Sequence, residues 1–314
     1  MPVDAAAVPP AAPSTSSSKE APAPAKRSRA DTLLDTFTLF RAELDAHHAQ
    51  RERIVKLSRD VTALSKQLIF TLHRVGSGRG KEAVFGEAEV KMQGLRALFE
   101  KLQGEVKGAD FWRYERSVSP GIQEYLEGFT FYYYLEHHTL PTLAEAQASL
   151  LPPAPAQSTS SSNNASSADT ETVPPATAAE PYFHVTIDDY LGGVADLTGE
   201  LMRLAIASVG KNLNDSLAGD GSDAGFTDID RIGRLVREIQ GEMTPLATYA
   251  RWLPKKLQVL DQSLAKIENA SYNLRIRGAE YRDSPAMLQA LARKMADSAP
   301  GGAGAAGREE VAPA

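Results

Sequence analysis

Residues 31–75, DTLLDTFTLFRAELDAHHAQRERIVKLSRDVTALSKQLIFTLHRV, contain neither proline nor glycine, and their apolar side chains recur at helical spacing. Leu33, Phe37, Phe40, Leu44, Ile54, Val61, Leu68, Leu72 and Val75 fall on a three/four repeat, which predicts one helix roughly 65–70 Å long at 1.5 Å per residue. The seam turns polar at His47, Arg51, Ser58 and Ser65. The middle of the helix is therefore expected to face something wetter than a core, a subunit interface or a bound strand.

The same periodicity returns over about 81–106, 120–137, 142–150, 187–209, 227–243, 254–278 and 285–296, so the expected fold is all-α, a bundle of about seven helices. Prolines stand near several starts, and Gly76, Gly210 and Gly278 follow ends. Residues 1–30, about 152–181 and the end of the chain are rich in Ala, Pro, Ser or Gly without an apolar period, which reads as disordered tails and an internal insert. The expected organisation is a tail over 1–30, a helical domain over 31–281, and a C-terminal helix and tail over 282–314.

The chain has no cysteine, which excludes disulfides and thiolate zinc sites and suits a reducing intracellular compartment. No apolar run approaches the ~20 residues that span a bilayer, and no signal-like N-terminus is present, so a soluble protein without membrane contact is expected. The formal net charge of -6 argues against a simple basic nucleic-acid-binding module. Yet Lys26 to Gly80 carries eleven Lys/Arg against six Asp/Glu, a local balance of +5.

Two helices carry paired acids. Glu124 and Glu127 are three apart in Gly121-Ile-Gln-Glu-Tyr-Leu-Glu-Gly128, and Asp196 and Glu200 are four apart in Asp196-Leu-Thr-Gly-Glu200, so each pair shares a helix face. Both stand among apolar neighbours, where like charges are costly unless protonated or bound to a cation. A hard divalent cation resolves that conflict: magnesium takes carboxylate oxygens, and a two-metal site activates water and stabilises the leaving oxygen of a phosphodiester. Gly128, Gly193 and Gly199 accompany the acids, each costing a helix about 1 kcal/mol against alanine, which is explained if two helices must approach closely. The plainer reading is a set of partly exposed helix positions with Arg203 and Arg113 as ion-pair partners. A redox di-iron bundle would need Glu-x-x-His, which does not occur.

The stretch Asp189-Tyr-Leu-Gly-Gly-Val-Ala-Asp-Leu-Thr-Gly-Glu-Leu-Met-Arg203 resembles the signature helix of the translin family, on its translin-associated X-factor branch, and Gly121 to Glu127 resembles that branch's other acidic helix. Two further blocks agree: Arg53-Ile-Val-Lys-Leu-Ser-Arg-Asp-Val-Thr62 with Ile69-Phe-Thr-Leu-His-Arg74, and Lys255-Lys-Leu through Gln262 to Asn269 with Arg275-Ile-Arg-Gly278. The resemblance runs in order over about 31–281; the long Ser/Pro insert and Gly192 depart from it. It implies a seven-helix bundle, a closed hetero-oligomer with translin that holds nucleic acid inside, and magnesium-dependent endonucleolytic cleavage of RNA in silencing and tRNA processing. The implied catalytic and metal-binding acids are Glu124, Glu127, Asp196 and Glu200, with Mg2+ or Mn2+ as the cation.

On the same resemblance, Arg51, Arg53, Lys56, Arg59, His73 and Arg74 are candidates to line an RNA or single-stranded DNA path, the alternative being a solvated basic face. Distribution between cytoplasm and nucleus is implied, with Lys26-Arg-Ser-Arg29 as a short candidate import signal. The near-continuous aromatic run Phe129 to Tyr134 is expected to pack rather than stack bases, and His137-His138 to close a helix. The rival to the nuclease is a non-catalytic adaptor that stabilises translin and nucleic acid.

Overall fold

The computed structural model describes residues 29–75, 80–106, 110–150, 183–217 and 224–280, with positions 284, 286, 287 and 290 beyond them. Within these residues there is no strand, and no helix is long and apolar enough to cross a membrane. The helices are α1 (Arg29–Leu72), α2 (Lys81–Glu105), α3 (Asp110–His137), α4 (Leu143–Ser149), α5 (Ile187–Leu217), α6 (Ala224–Met243) and α7 (Leu253–Glu280), with a short 3-10 turn, Pro245–Thr248, between the last two. The all-α expectation holds. The tails, the Ser/Pro insert and Lys26 to Ser28 lie outside the described residues, as does most of the last expected helix, of which Ala286, Met287 and Ala290 are helical.

The chain divides into two units at Ala49. In the first, α1 exposes Leu33, Leu34, Phe37, Phe40 and Leu44. In the second, the remainder of α1 enters the core through Ile54, Val61, Leu68 and Leu72.

The polar seam of α1 keeps its reading as a wet surface at His47 and Arg51, the first partly exposed and the second exposed, and loses it at the two serines. Ser58 and Ser65 are buried, and they meet glycines of α3 at the same seven-residue interval. A Cβ on Gly121 would stand 2.8 Å from Ser58 Oγ, and one on Gly128 would stand 3.2 Å from Leu68 Cδ2 and 3.7 Å from Ser65 O. Small side chains face absent ones here, so Ser58 and Ser65 stand in the seam because the backbones are close.

Helix α3 begins at Asp110, ten residues before the expected start, and carries Pro120 inside it. Phe111, Tyr114, Val118, Ile122 and Tyr125 continue one buried stripe across the proline. Burying that stripe outweighs the roughly 3 kcal/mol that an interior proline costs. The aromatic run behaves as expected, with Phe131 and Tyr134 buried. Helix α5 likewise passes through Gly210, where the sequence placed its end.

Helix α5 packs against α3, α6 and α7. Its crossing with α3 is the tightest: a Cβ on Gly193 would lie 2.6 Å from Leu126 Cβ and 3.3 Å from Glu127 N, and one on Gly192 would lie 2.9 Å from Gln123. Asp189 locks this crossing, accepting hydrogen bonds from Ser119 Oγ (2.5 Å), Gln123 Nε2 (3.1 Å) and Thr186 Oγ1 (2.8 Å). Gly199 has nothing within 4 Å of a built Cβ, so the close-approach argument fails there. Gly193→Ala is therefore expected to destabilise by about 1–2 kcal/mol despite its better helix propensity, while Gly199→Ala should stabilise by up to about 1 kcal/mol. Urea midpoints of the two variants check this; equal shifts would refute the close contact.

Candidate carboxylate site

The α3–α5 crossing sets Glu124 and Glu127 against Asp196 and Glu200. Gly193 rests on the backbone of Glu127, and Asp196 stands three residues further along α5, on the same face. All four acids interact. Burial, then the charges of Glu200, Asp196 and Glu124, push the Glu127 carboxyl up to about 8. Burial also raises Glu124, with Lys66 opposing and Asp196 and Glu200 adding to the rise. Burial would raise Glu200 as well, but a hydrogen bond with His73 and the charge of Arg203 outweigh it and hold this acid below its ordinary range. The two pairs found by spacing thus form one coupled group.

Each acid has a different neighbour. Lys66 Nζ lies 3.7 Å from Glu124 Oε2, with Lys66 largely exposed. His73 Nε2 lies 2.6 Å from Glu200 Oε2, its ring against Phe131 at 4.8 Å between centroids, and Arg203 Nη1 donates to Glu200 Oε1. Lys256 of α7 donates to Asp196 Oδ2. The Glu127 carboxylate accepts no hydrogen bond among the described residues. Of the two ion-pair partners expected from sequence, Arg203 pairs as expected; Arg113 is exposed and pairs with neither acid of α3.

Lys66 and Lys256 were not found by sequence reasoning. Each acts across about sixty positions of chain, and no local spacing signals such a contact.

The six candidate nucleic-acid contacts do not form one strip. Arg51, Lys56 and Arg59 are exposed, but at 100° per residue they fan with Arg53 over roughly half the circumference of α1. Arg53 is held by Glu105 at 3.0 and 3.1 Å, and Arg74 by Glu87 at 2.9 and 3.0 Å. His73 belongs to the carboxylate group.

The donor set fits a hard divalent cation: oxygen-only ligands, one of them half-buried and accepting no hydrogen bond among the described residues, in a group whose mutual repulsion a cation would relieve. The side chains are not drawn into a finished cage, since among the described residues no three His, Cys, Asp or Glu converge closely enough to hold a metal. Lysine, arginine and histidine hold three of the acids instead.

Fold and site together define a helical-bundle protein with a four-carboxylate group at a glycine-mediated helix crossing. The Translin family profile matches residues 49–278. Translin-associated protein X of Pongo abelii is 36% identical over 248 residues, covering 78% of this chain and 79% of that protein. Translin of Gallus gallus is 27% identical, over 77% of this chain and 92% of that protein. Among solved structures, one described as an AfC3PO–duplex RNA complex superposes with a TM-score of 0.51 at 18% identity, over 77% of this chain and 97% of the other. The chain belongs to the translin family.

Proposed function

We propose that this protein is the magnesium-dependent endoribonuclease subunit of a hetero-oligomer with translin, cleaving single-stranded or nicked RNA. The observation that carries the reading is the coupled carboxylate group, with Glu127 pushed to about 8 by burial and by its three acidic neighbours. A group this costly to ionise has a use when a cation compensates it. Glu124, Glu127, Asp196 and Glu200 would hold Mg2+ or Mn2+, and the cation would supply an activated water and stabilise the leaving oxygen. The chain's own part is to present the buried and half-buried acids from two crossing helices, with Glu127 holding a proton until a cation arrives. Lys66, Lys256 and Arg203, now paired with Glu124, Asp196 and Glu200, would turn to a phosphodiester's charge once a cation took the acids.

The relatives support the biological setting: similarity is higher to an X-type protein than to translin, and a structurally similar protein is described in complex with duplex RNA. Single-stranded DNA binding and residence in both nucleus and cytoplasm are carried over as part of this proposal. Cleavage of an end-labelled single-stranded RNA by the co-purified complex, with magnesium and with EDTA, tests it. Cleavage only with magnesium is expected; equal cleavage in EDTA would contradict it.

A second reading has its own support. Three of the four acids already hold a cationic side chain of this protein, as a structural ion-pair network would, and this favours an adaptor that binds but does not cut. Absence of cleavage under both conditions, with RNA binding intact, would establish it.

The translin partnership makes a further expectation. The exposed stripe on the N-terminal part of α1, with Phe37 and Phe40 edge-to-face at 6.3 Å, is a contiguous apolar surface of the kind that marks a protein interface. Expressed alone, the chain should sediment as aggregate or fail to cleave, and Phe37→Glu/Phe40→Glu should release translin from the co-purified complex. An active, monodisperse monomer would contradict this.

A further inference from the structure

Outside the carboxylate group, a groove of about 760 Å³ between α6 and α7 is lined by apolar, cationic, acidic and aromatic side chains. Its floor is apolar, with Ile229 and Ile267 buried, and Gly233 admits the close approach of α7, since a Cβ there would lie 3.3 Å from Ile267 Cγ2. The walls hold Arg231, Arg234, Arg237 and Arg275 against Asp230 and Glu268, with Asp228 beside them on Arg231, a balance of +1 in a chain whose net charge is -6.

The two acids hold arginines of the groove and offset part of their charge. Glu268 Oε1 accepts from Arg237 Nη2 at 2.6 Å; Asp230 accepts from Ser271 Oγ at 3.0 Å and from Arg275. Arg231 leans along its own helix to Asp228 at 3.1 Å. Arg234 is exposed and has no acidic partner among the described residues. Arg231, Arg234 and Arg237 step along α6 at intervals of about 4.5 Å, giving a line of cations rather than a point. Tyr272 stands at the rim with its side chain 64% exposed, an aromatic face with nothing packed on most of it. A row of guanidinium groups beside an open aromatic ring suits a strand that carries one charge and one base per unit.

We propose that the α6–α7 groove binds the backbone of single-stranded RNA, as a second contact separate from the carboxylate group. Tyr272 lies sixteen residues beyond Lys256 on α7, roughly 24 Å along the helix, so a strand engaged in the groove would be held well away from Asp196. The groove contributes affinity and orientation without chemistry. Arg234 takes a phosphate directly, Arg231, Arg237 and Arg275 add charge from within their ion pairs, and Tyr272 takes a base.

The test is fluorescence anisotropy with a fluorescein-labelled 20-mer oligouridylate and the full-length chain in complex with its partner. EDTA throughout keeps cation chemistry out of the readout, so a negative result leaves the carboxylate reading standing. Arg234→Gln/Arg237→Gln should weaken binding roughly five- to tenfold and lower the slope of log affinity against log salt by about 1.4, two contacts at 0.7 each. Glu268→Gln should tighten binding, a change in the opposite direction that a folding defect would not give. Tyr272→Ala should weaken binding and Tyr272→Phe should restore it. Unchanged affinity and slope in the double arginine variant would overturn the proposal. So would displacement of the oligonucleotide by a polyglutamate peptide at equal charge concentration, which would assign the groove to an acidic protein segment.

Discussion

Replacing any one of the four carboxylates by its amide, as Glu124→Gln, Glu127→Gln, Asp196→Asn or Glu200→Gln, is expected to lower magnesium-dependent RNA cleavage by roughly 100-fold or more. The amide keeps the volume of each side chain at the α3–α5 crossing, so Leu126, Leu197 and Leu201 stay packed and helix content should not change. What is lost is the charge that a hard cation requires. RNA binding should persist, because phosphate contacts come from basic side chains spread over a larger surface. Single-turnover cleavage of a labelled RNA, run beside filter binding on the same preparations, separates the two effects. Two or more variants cleaving at the parental rate would remove the four-carboxylate site and leave the adaptor reading.

The second large effect is on stability and depends on pH. In the unfolded chain the Glu127 carboxyl ionises near its ordinary 4.5, and in the native protein near 8. Below 4.5 both states carry the proton and the group is neutral toward folding. Between 4.5 and 8 the native state holds a proton that the unfolded state has lost, so stability falls as pH rises through this window and stays low above it. The ideal limit is about 5 kcal/mol, and relaxation and water entry reduce it to the order of 2 kcal/mol. Glu127→Gln removes this loss. In metal-free buffer the variant should melt roughly 4–8 °C above the parent at pH 8.5 and almost with it at pH 4.5. A gain independent of pH, or a loss at pH 8.5, would show that Glu127 is not the strained member of the group.

Much of this was legible in the sequence, and what was missed follows from identifiable physics. The helical class and the acid pairs were readable because helix periodicity places residues three and four apart on one face. That the pairs meet was suggested by Gly193, whose cost in helix propensity is offset by close packing on α3; Gly128, read the same way, packs against α1 instead. Ser58 and Ser65 misled because a small polar residue reads alike at a wet surface and at a tight backbone contact; Gly121 and Gly128, seven apart on another helix, decide between them only once paired. Pro120 misled because tertiary burial overrode a local penalty. Lys66 and Lys256 depend on which distant helix lies opposite, and periodicity carries no such information; the fan of basic residues on α1 was open to helix geometry and was overlooked.

The proton on Glu127 gives the carboxylate site its most direct test. If Glu127 carries a proton at neutral pH and the four acids form a divalent-cation site, cation uptake must expel that proton. The measurement is isothermal titration of the complex with Mn2+ at pH 7 in two buffers of different ionisation enthalpy, on the parent and on the Glu124→Gln/Glu127→Gln/Asp196→Asn/Glu200→Gln variant. Saturable uptake by the parent with release of close to one proton per site, and none by the variant, is the expected result. Equal uptake by both, or no uptake by the parent, would contradict the carboxylate site on which the proposed nuclease function rests.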